Sequence, residues 1–143
     1  MSIFFFNEDV VLPEVNYTAL QKVLKREIRI NKSKLGEINY IFCSDEYLFD
    51  INVKFLDHSF YTDVITFDYS DDGVVAGDIF ISTDRVLNNS ITFNQLYSDE
   101  LVRVVSHGLL HLLKYNDKEP EDVIVMRMKE TDMVSRFNSL IGF

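Results

Sequence analysis

Residues 98–113 constrain this chain most. Leu101, Val102, Val104, Val105, Leu109, Leu110, Leu112 and Leu113 surround nearly the whole circumference of a helix, and a helix apolar all round has to be buried. It must therefore lie between a sheet and other helices. Ser98 is expected to cap its N-terminus, with Asp99 and Glu100 near the positive end of the helix dipole. At about 100° per residue, Glu100, Arg103, Val104, His107, His111 and Lys114 fall on one stripe. The polar groups of a buried helix thus converge on a single line, which must face a cleft.

That stripe holds two of the chain's three histidines, four residues apart, so their imidazoles stack on one face about one turn from each other. Asp117 follows six residues after His111, past the expected helix end. A turn there can fold its carboxylate back beneath the rings. Two nitrogens, one oxygen and an open fourth position describe a catalytic zinc site rather than a closed structural one. A His-x-x-x-His pair in an apolar helix is also the pattern of two core histidines with satisfied ring nitrogens. Asp117 and the near absence of histidine elsewhere favour the metal.

The run His107-Gly108-Leu109-Leu110-His111-Leu112-Leu113-Lys114-Tyr115-Asn116-Asp117 resembles the signature His-Gly-x-Leu-His-Leu-x-Gly-Tyr-Asp-His of the YbeY family of metal-dependent endoribonucleases, also described as rRNA maturation factors. It matches at His107, Gly108, Leu110, His111, Leu112 and Tyr115, whereas Lys114 replaces the family glycine, Asn116 the aspartate and Asp117 the third histidine. Carboxylate oxygen is an ordinary zinc ligand, so the last change alters affinity and metal preference without abolishing a site. Without the glycine, a left-handed residue in this turn has to be Lys114 or, more comfortably, Asn116. Upstream, Asn52 with Thr62-Asp63-Val64-Ile65-Thr66-Phe67 looks like the family's Asn-x-x-x-Arg and Thr-Asn/Asp-Val-Leu-Ser-Phe blocks. Gly77-Asp78-Ile79-Phe80-Ile81-Ser82 looks like its Gly-Asp-Ile-x-Ile-Ser strand, and Met126 and Glu130 match its Met-x-x-x-Glu helix. Leu56 stands where the family has an arginine assigned to the RNA phosphate, so that role is lost or moved. The resemblance implies one zinc, or another divalent metal, held by His107, His111 and Asp117. It also implies a single-stranded RNA substrate, a role in small-subunit ribosomal RNA 3'-end maturation and ribosome quality control, a ribosome or small-subunit partner, and a cytoplasmic setting.

Net charge is −9, from 14 basic and 23 acidic residues. This disfavours nonspecific nucleic-acid binding, because affinity for phosphate chains comes mostly from Lys and Arg. Yet residues 21–34 hold six basic side chains against one acid, Glu27. Lys22, Lys25, Arg26 and Arg29 share one face of a helix whose other face carries Leu20, Leu24 and Ile28. That stripe is the candidate RNA footprint, or simply a solvated face. The single cysteine, Cys43, excludes an internal disulfide and any Cys-rich zinc site, and suits a reducing cytosol. No run approaches the roughly 20 apolar residues that span a bilayer. The start, Met-Ser-Ile-Phe-Phe-Phe-Asn-Glu-Asp, lacks the basic n-region of a secretory signal. The expectation is a soluble intracellular protein without membrane contact, its oligomeric state open.

At 143 residues the chain is expected to form one domain, 1–143. Periodicity predicts strands at 3–6, 37–43, 62–69 and 74–82, the last two joined as a hairpin by Ser70-Asp71-Asp72-Gly73. Helices are expected from Pro13 to about residue 31, from Ser44 or Asp45 to about 54, over 83–93, through the histidine segment, and from Pro120 onward. The sum is an α+β fold: a small mixed sheet of about four strands packed with about five helices around the buried histidine helix.

Val123, Met126, Met133, Val134 and Phe137 mark the buried face of the last helix, and Glu130 falls on that face. It is either a structural acid bonded to backbone or arginine, or a partner for a metal-bound imidazole. Arg103 and Lys114 are candidate phosphate contacts, although Arg103 can instead pair with Glu100 or a neighbouring carboxylate. His58 is expected in a solvent-exposed loop that can border the cleft, and Asp78 is expected to fix a turn. Ser106 belongs to no recognisable triad. The expected chemistry is attack on a phosphodiester by a metal-activated water. One rival is a metalloprotease, whose His-Glu-x-x-His helix needs a glutamate where this chain has Gly108. The other is a noncatalytic, metal-stabilised ribosome-assembly module that docks RNA through Lys22, Lys25, Arg26 and Arg29.

Overall fold

In the computed structural model, which describes residues 2–142, four strands form one mixed sheet. They are β1 (Ser2–Asn7), β2 (Lys34–Cys43), β3 (Val64–Asp68) and β4 (Val74–Ser82), in the order β1-β2-β4-β3. β1, β2 and β4 run parallel, and β3 returns antiparallel beside β4. The hairpin between β3 and β4 closes where Asp72 and Gly73 both take positive φ, 50° and 78°, as a tight hairpin turn requires. β2 is central and buried on both faces: Ile38, Tyr40, Phe42 and Cys43 are all inaccessible. It begins at Lys34 rather than at residue 37, because a register break between Leu35 and Ile38 lets the strand pair with β4 on both sides of the irregularity.

α1 (Tyr17–Ile30) does not open at Pro13. Asn16 caps it instead, its Oδ1 accepting from the Ala19 N–H at 3.0 Å, while the Pro13 carbonyl accepts from the Tyr17 hydroxyl. Leu20, Leu24 and Ile28 are buried as expected; so is Glu27, which reaches Lys129 at 2.6 Å. α2 (Asp45–Leu56) starts after Ser44, whose hydroxyl accepts from the Tyr47 N–H. α3 (Thr83–Thr92) follows β4 directly.

The histidine helix is α4 (Tyr97–Leu112) and the last helix is α5 (Pro120–Leu140), with Pro120 at its first turn. Ser98 is not the cap of α4. The helix begins one residue earlier, so Ser98 lies within its first turn, and Leu96 at the cap offers no side-chain acceptor. Asp99 and Glu100 remain to balance the dipole. α4 packs on β3 and β4 from one side and meets α3 and α5 on the other. Two glycines set its distance from the sheet. A Cβ on Gly108 would meet Ile79 at 2.7 Å, and one on Gly77 would meet the Phe67 carbonyl at 2.5 Å and Leu112 at 2.9 Å. Tyr40, fully buried, donates its hydroxyl to the Val105 carbonyl and so ties β2 to α4. Among the described residues, no helix is long and apolar enough to cross a membrane.

Candidate metal centre

α4 ends one residue after His111, and the chain must then reverse. Leu113 leaves the helix, and Lys114 takes φ 74°. The Lys114 N–H donates to the His111 carbonyl and the Tyr115 N–H to the Leu110 carbonyl, both at 3.0 Å, which closes the last turn. The left-handed residue is therefore the lysine, not Asn116, at a cost of about 1–2 kcal/mol relative to glycine. Tyr115 anchors the reversal by donating its hydroxyl to Asn31 Oδ1 at 2.9 Å. This turn carries Asp117 back to the imidazoles.

Asp117 Oδ2 lies 3.3 Å from His107 Nε2 and 3.4 Å from His111 Nε2, and the two nitrogens are 3.0 Å apart. Ligands held tetrahedrally at 2.0–2.1 Å from zinc stand about 3.3 Å from one another, so the donor spacing fits a small divalent cation. Donor chemistry fits as well. Glu130 Oε2 sits 2.6 Å from His107 Nδ1. As an ionised carboxylate it can only accept, so it fixes the proton on Nδ1 and turns the Nε2 lone pair toward His111 and Asp117. Three electron-rich atoms facing one another call for a cation among them.

The electrostatics agree. Burial works against a charged His107, yet the hydrogen bond and charge of Glu130, helped by Asp117 and Asp63, outweigh it and raise its pKa. Burial and the charge of His107 hold the pKa of His111 below the ordinary value. Glu130 also reaches Arg103, whose Nη1 is 3.3 Å from Oε1; Glu100 is 4.0 Å from the Arg103 Nε. Glu130 is thus a buried acid bonded both to an arginine and to an imidazole.

The triad sits between two hollows. On the His107 side is a cleft of about 330 Å³ whose walls include Asp63, Asn89, Glu100, Arg103, Arg127 and Glu130. Burial raises the pKa of Asp63, and Asn89 donates to its Oδ2 at 3.3 Å. On the His111 side is a groove of about 560 Å³ formed by Leu56, His58, Phe60, Val64, Asp68 and Lys118, among others. The sequence reading assigned no role to Asp63, Arg127 or Lys118. Arg127 could have been found, since it stands one helical turn before Glu130 on the same side of α5.

The other candidates separate. Arg103 lines the His107-side cleft, whereas Lys114, past the helix end, leaves the stripe and pairs with Asp68. Lys22, Arg26 and Arg29 line a groove between α1 and α5 that shares no wall residue with either hollow at the triad; Lys25 is exposed. Asp78 fixes no turn. It lies within β4 and accepts from Asn39 Nδ2 at 3.0 Å. Ser106 is buried, and among the described residues its hydroxyl has no hydrogen-bond partner. His58 is exposed and does border a hollow, the one that reaches His111.

Comparison with known proteins finds relatives of the chain as a whole. The family model described as endoribonuclease YbeY matches residues 6–138. A protein named endoribonuclease YbeY from Parabacteroides distasonis is 42% identical over 130 residues, 91% of this chain and 92% of that protein. Its namesake from Cytophaga hutchinsonii is 46% identical over 135 residues, 94% of each chain. Among solved structures, the solution structure of a Thermotoga maritima protein superposes with a TM-score of 0.69 at 25% identity, covering 96% of this chain and 90% of that one.

Proposed function

Because this chain belongs to the YbeY endoribonuclease family, we propose that it is a metal-dependent endoribonuclease that cleaves single-stranded RNA, with His107, His111 and Asp117 holding one zinc or similar divalent ion. The observation that carries this reading is the convergence of their three donor atoms within 3.0–3.4 Å. A cation bound there supplies Lewis acidity toward a phosphoryl oxygen and acidifies water toward neutral pH. The chain's own groups do the rest. Glu130 holds the proton on His107 Nδ1 and fixes the ring. Arg103 and Arg127 line the cleft and offer positive charge to the phosphoryl oxygens. The Asp63 carboxyl, on the same wall, keeps a proton to higher pH than an ordinary aspartate. Lys114 is held by Asp68 away from this cleft, so the phosphate role falls to the two arginines.

Family resemblance extends the proposal to 3'-end maturation of small-subunit ribosomal RNA and ribosome quality control in the cytoplasm, with the ribosome or its small subunit presenting the substrate. Lys22, Lys25, Arg26 and Arg29 then serve as a docking face for ribosomal RNA. A metalloprotease finds no support: a side chain at position 108 would run into Ile79 of the sheet, which leaves no room for a catalytic glutamate. The test measures metal content and cleavage of single-stranded RNA by purified protein, with and without chelator, beside His111→Ala. Cleavage should require metal and vanish in the variant. Full metal loading without cleavage, even with small subunits present, would leave the noncatalytic assembly module as the surviving reading.

A further inference from the structure

The groove on the His111 side is not needed to hold the triad, yet it is built with care. His58 and Phe60 face each other as stacked rings, 5.1 Å between centroids and 21° between planes. Phe60 remains 53% exposed, so its ring is open to a ligand in the groove. One buried residue pins both. Asn52, 1% exposed, accepts from the His58 N–H through its carbonyl at 3.1 Å and donates its side-chain amide to the Phe60 carbonyl at 2.8 Å. Tyr61 next door is drawn the other way, stacked on Phe49 at 4.5 Å and bonded to Glu46 at 2.8 Å. The loop therefore presents one aromatic face to the groove and commits the other elsewhere. Leu56 and Val64 add apolar walls, and among the described residues Lys118 is the lysine or arginine lining the groove. Asp68, the acid there, is engaged by Lys114.

We propose that this groove is a nucleobase subsite: the exposed ring of Phe60, backed by His58, stacks a base of single-stranded RNA, while Lys118 meets the adjoining phosphate. Unpaired bases offer flat apolar faces beside a charged backbone, and proteins bind them with aromatic platforms and nearby cations. A groove that is apolar and aromatic on one side, cationic at Lys118, and open to His111 matches that alternation.

The inference rests on the RNA reading above, so its test separates the two. Binding of a short oligouridylate, and of the same strand with abasic residues, is measured on metal-free protein; cleavage of the oligouridylate is measured on metal-loaded protein. Both are repeated with Phe60→Ala and Phe60→Tyr. Phe60→Ala should raise KM about tenfold and leave kcat within about twofold, and Phe60→Tyr should restore KM. The abasic strand should bind wild type about tenfold more weakly and ignore Phe60→Ala. Phe60 is half exposed, so the fold should tolerate its loss, which a thermal unfolding curve checks. An unchanged KM in Phe60→Ala, or equal affinity for the two strands, overturns the subsite while cleavage itself stands. Base-dependent binding without metal-dependent cleavage keeps the subsite and removes the nuclease.

Discussion

The two sides of the histidine pair solve different problems. On the His107 side, Asp63, Glu100 and Glu130 are buried or half-buried with Arg103 and Arg127 beside them, because a desolvated charge is tolerable only when partnered. That side fixes a ring, a proton and a field. On the His111 side the walls are mostly apolar, the hollow is larger, and its cation, Lys118, is exposed. Nothing there needs a network, only a flat ring held at the right angle. Orientation of a ligand thus demands ionic packing, whereas recognition of a flexible strand can be left to shape and stacking.

Substitutions can break this division, beginning with the largest effect. Glu130→Gln should weaken metal affinity by about 10–100-fold, since it replaces the charged carboxylate that orients His107 with a neutral amide, a weaker acceptor, whereas Phe60→Ala should leave that affinity unchanged. Metal titration of both variants decides it, and equal losses would erase the distinction between the two sides. The sheet beneath the site comes next. Gly108→Ala forces a Cβ against Ile79 and should cost about 1–3 kcal/mol in denaturant unfolding. Arg127→Ala should then lower kcat/KM about tenfold and reduce the salt slope of RNA binding by about one. An unaltered slope would mean that the phosphate never reaches this cleft.

A pH experiment sharpens the comparison further. Burial, with a contribution from Asp63, raises the pKa of Glu100 despite the opposing charge of Arg103. A carboxyl whose folded pKa exceeds its unfolded value stabilises the fold below about 4.3 and loses that contribution as pH rises through the folded value. The melting temperature of metal-free Glu100→Gln, relative to wild type, should therefore become more positive from about pH 4 to about pH 7. A constant difference would return Glu100 to ordinary solvation. The smallest effect belongs to Lys114→Gly, which relieves the left-handed backbone but loses an exposed pair with Asp68. A net gain of about 1 kcal/mol or less is expected, against a small loss for Lys114→Ala, which keeps the strain.

Much of the site was legible because its parts are local. Two histidines at i and i+4 share a face in any helix, and six residues suffice to bring Asp117 back. Glu130 drew notice because a carboxylate on an apolar face needs a partner, although periodicity could not say which. The four strands, the hairpin and the five helices of the described residues followed the hydrophobic pattern in number and type, whereas the strand order came from the tertiary structure. Boundaries did not. Asn16 outcompeted Pro13 as the start of α1 because a side-chain cap satisfies a helix N–H directly, and α4 began before Ser98 with acids in its first turn instead of a cap.

By itself, the sequence determined a buried helix that carries two imidazoles to a cleft, with a carboxylate waiting in the turn beyond. Those depend on spacing alone, through the geometry of the helix. Only the tertiary structure decided that Glu130, 23 residues from His107, would set its tautomer. It also decided that Asp63 and Arg127 would line the cleft on the His107 side and Lys118 the groove on the His111 side, and that Asn52 would hold an aromatic ring over that groove. Such contacts arise where separate elements pack against one another, and packing is set by every surface involved at once, which no single stretch of chain encodes.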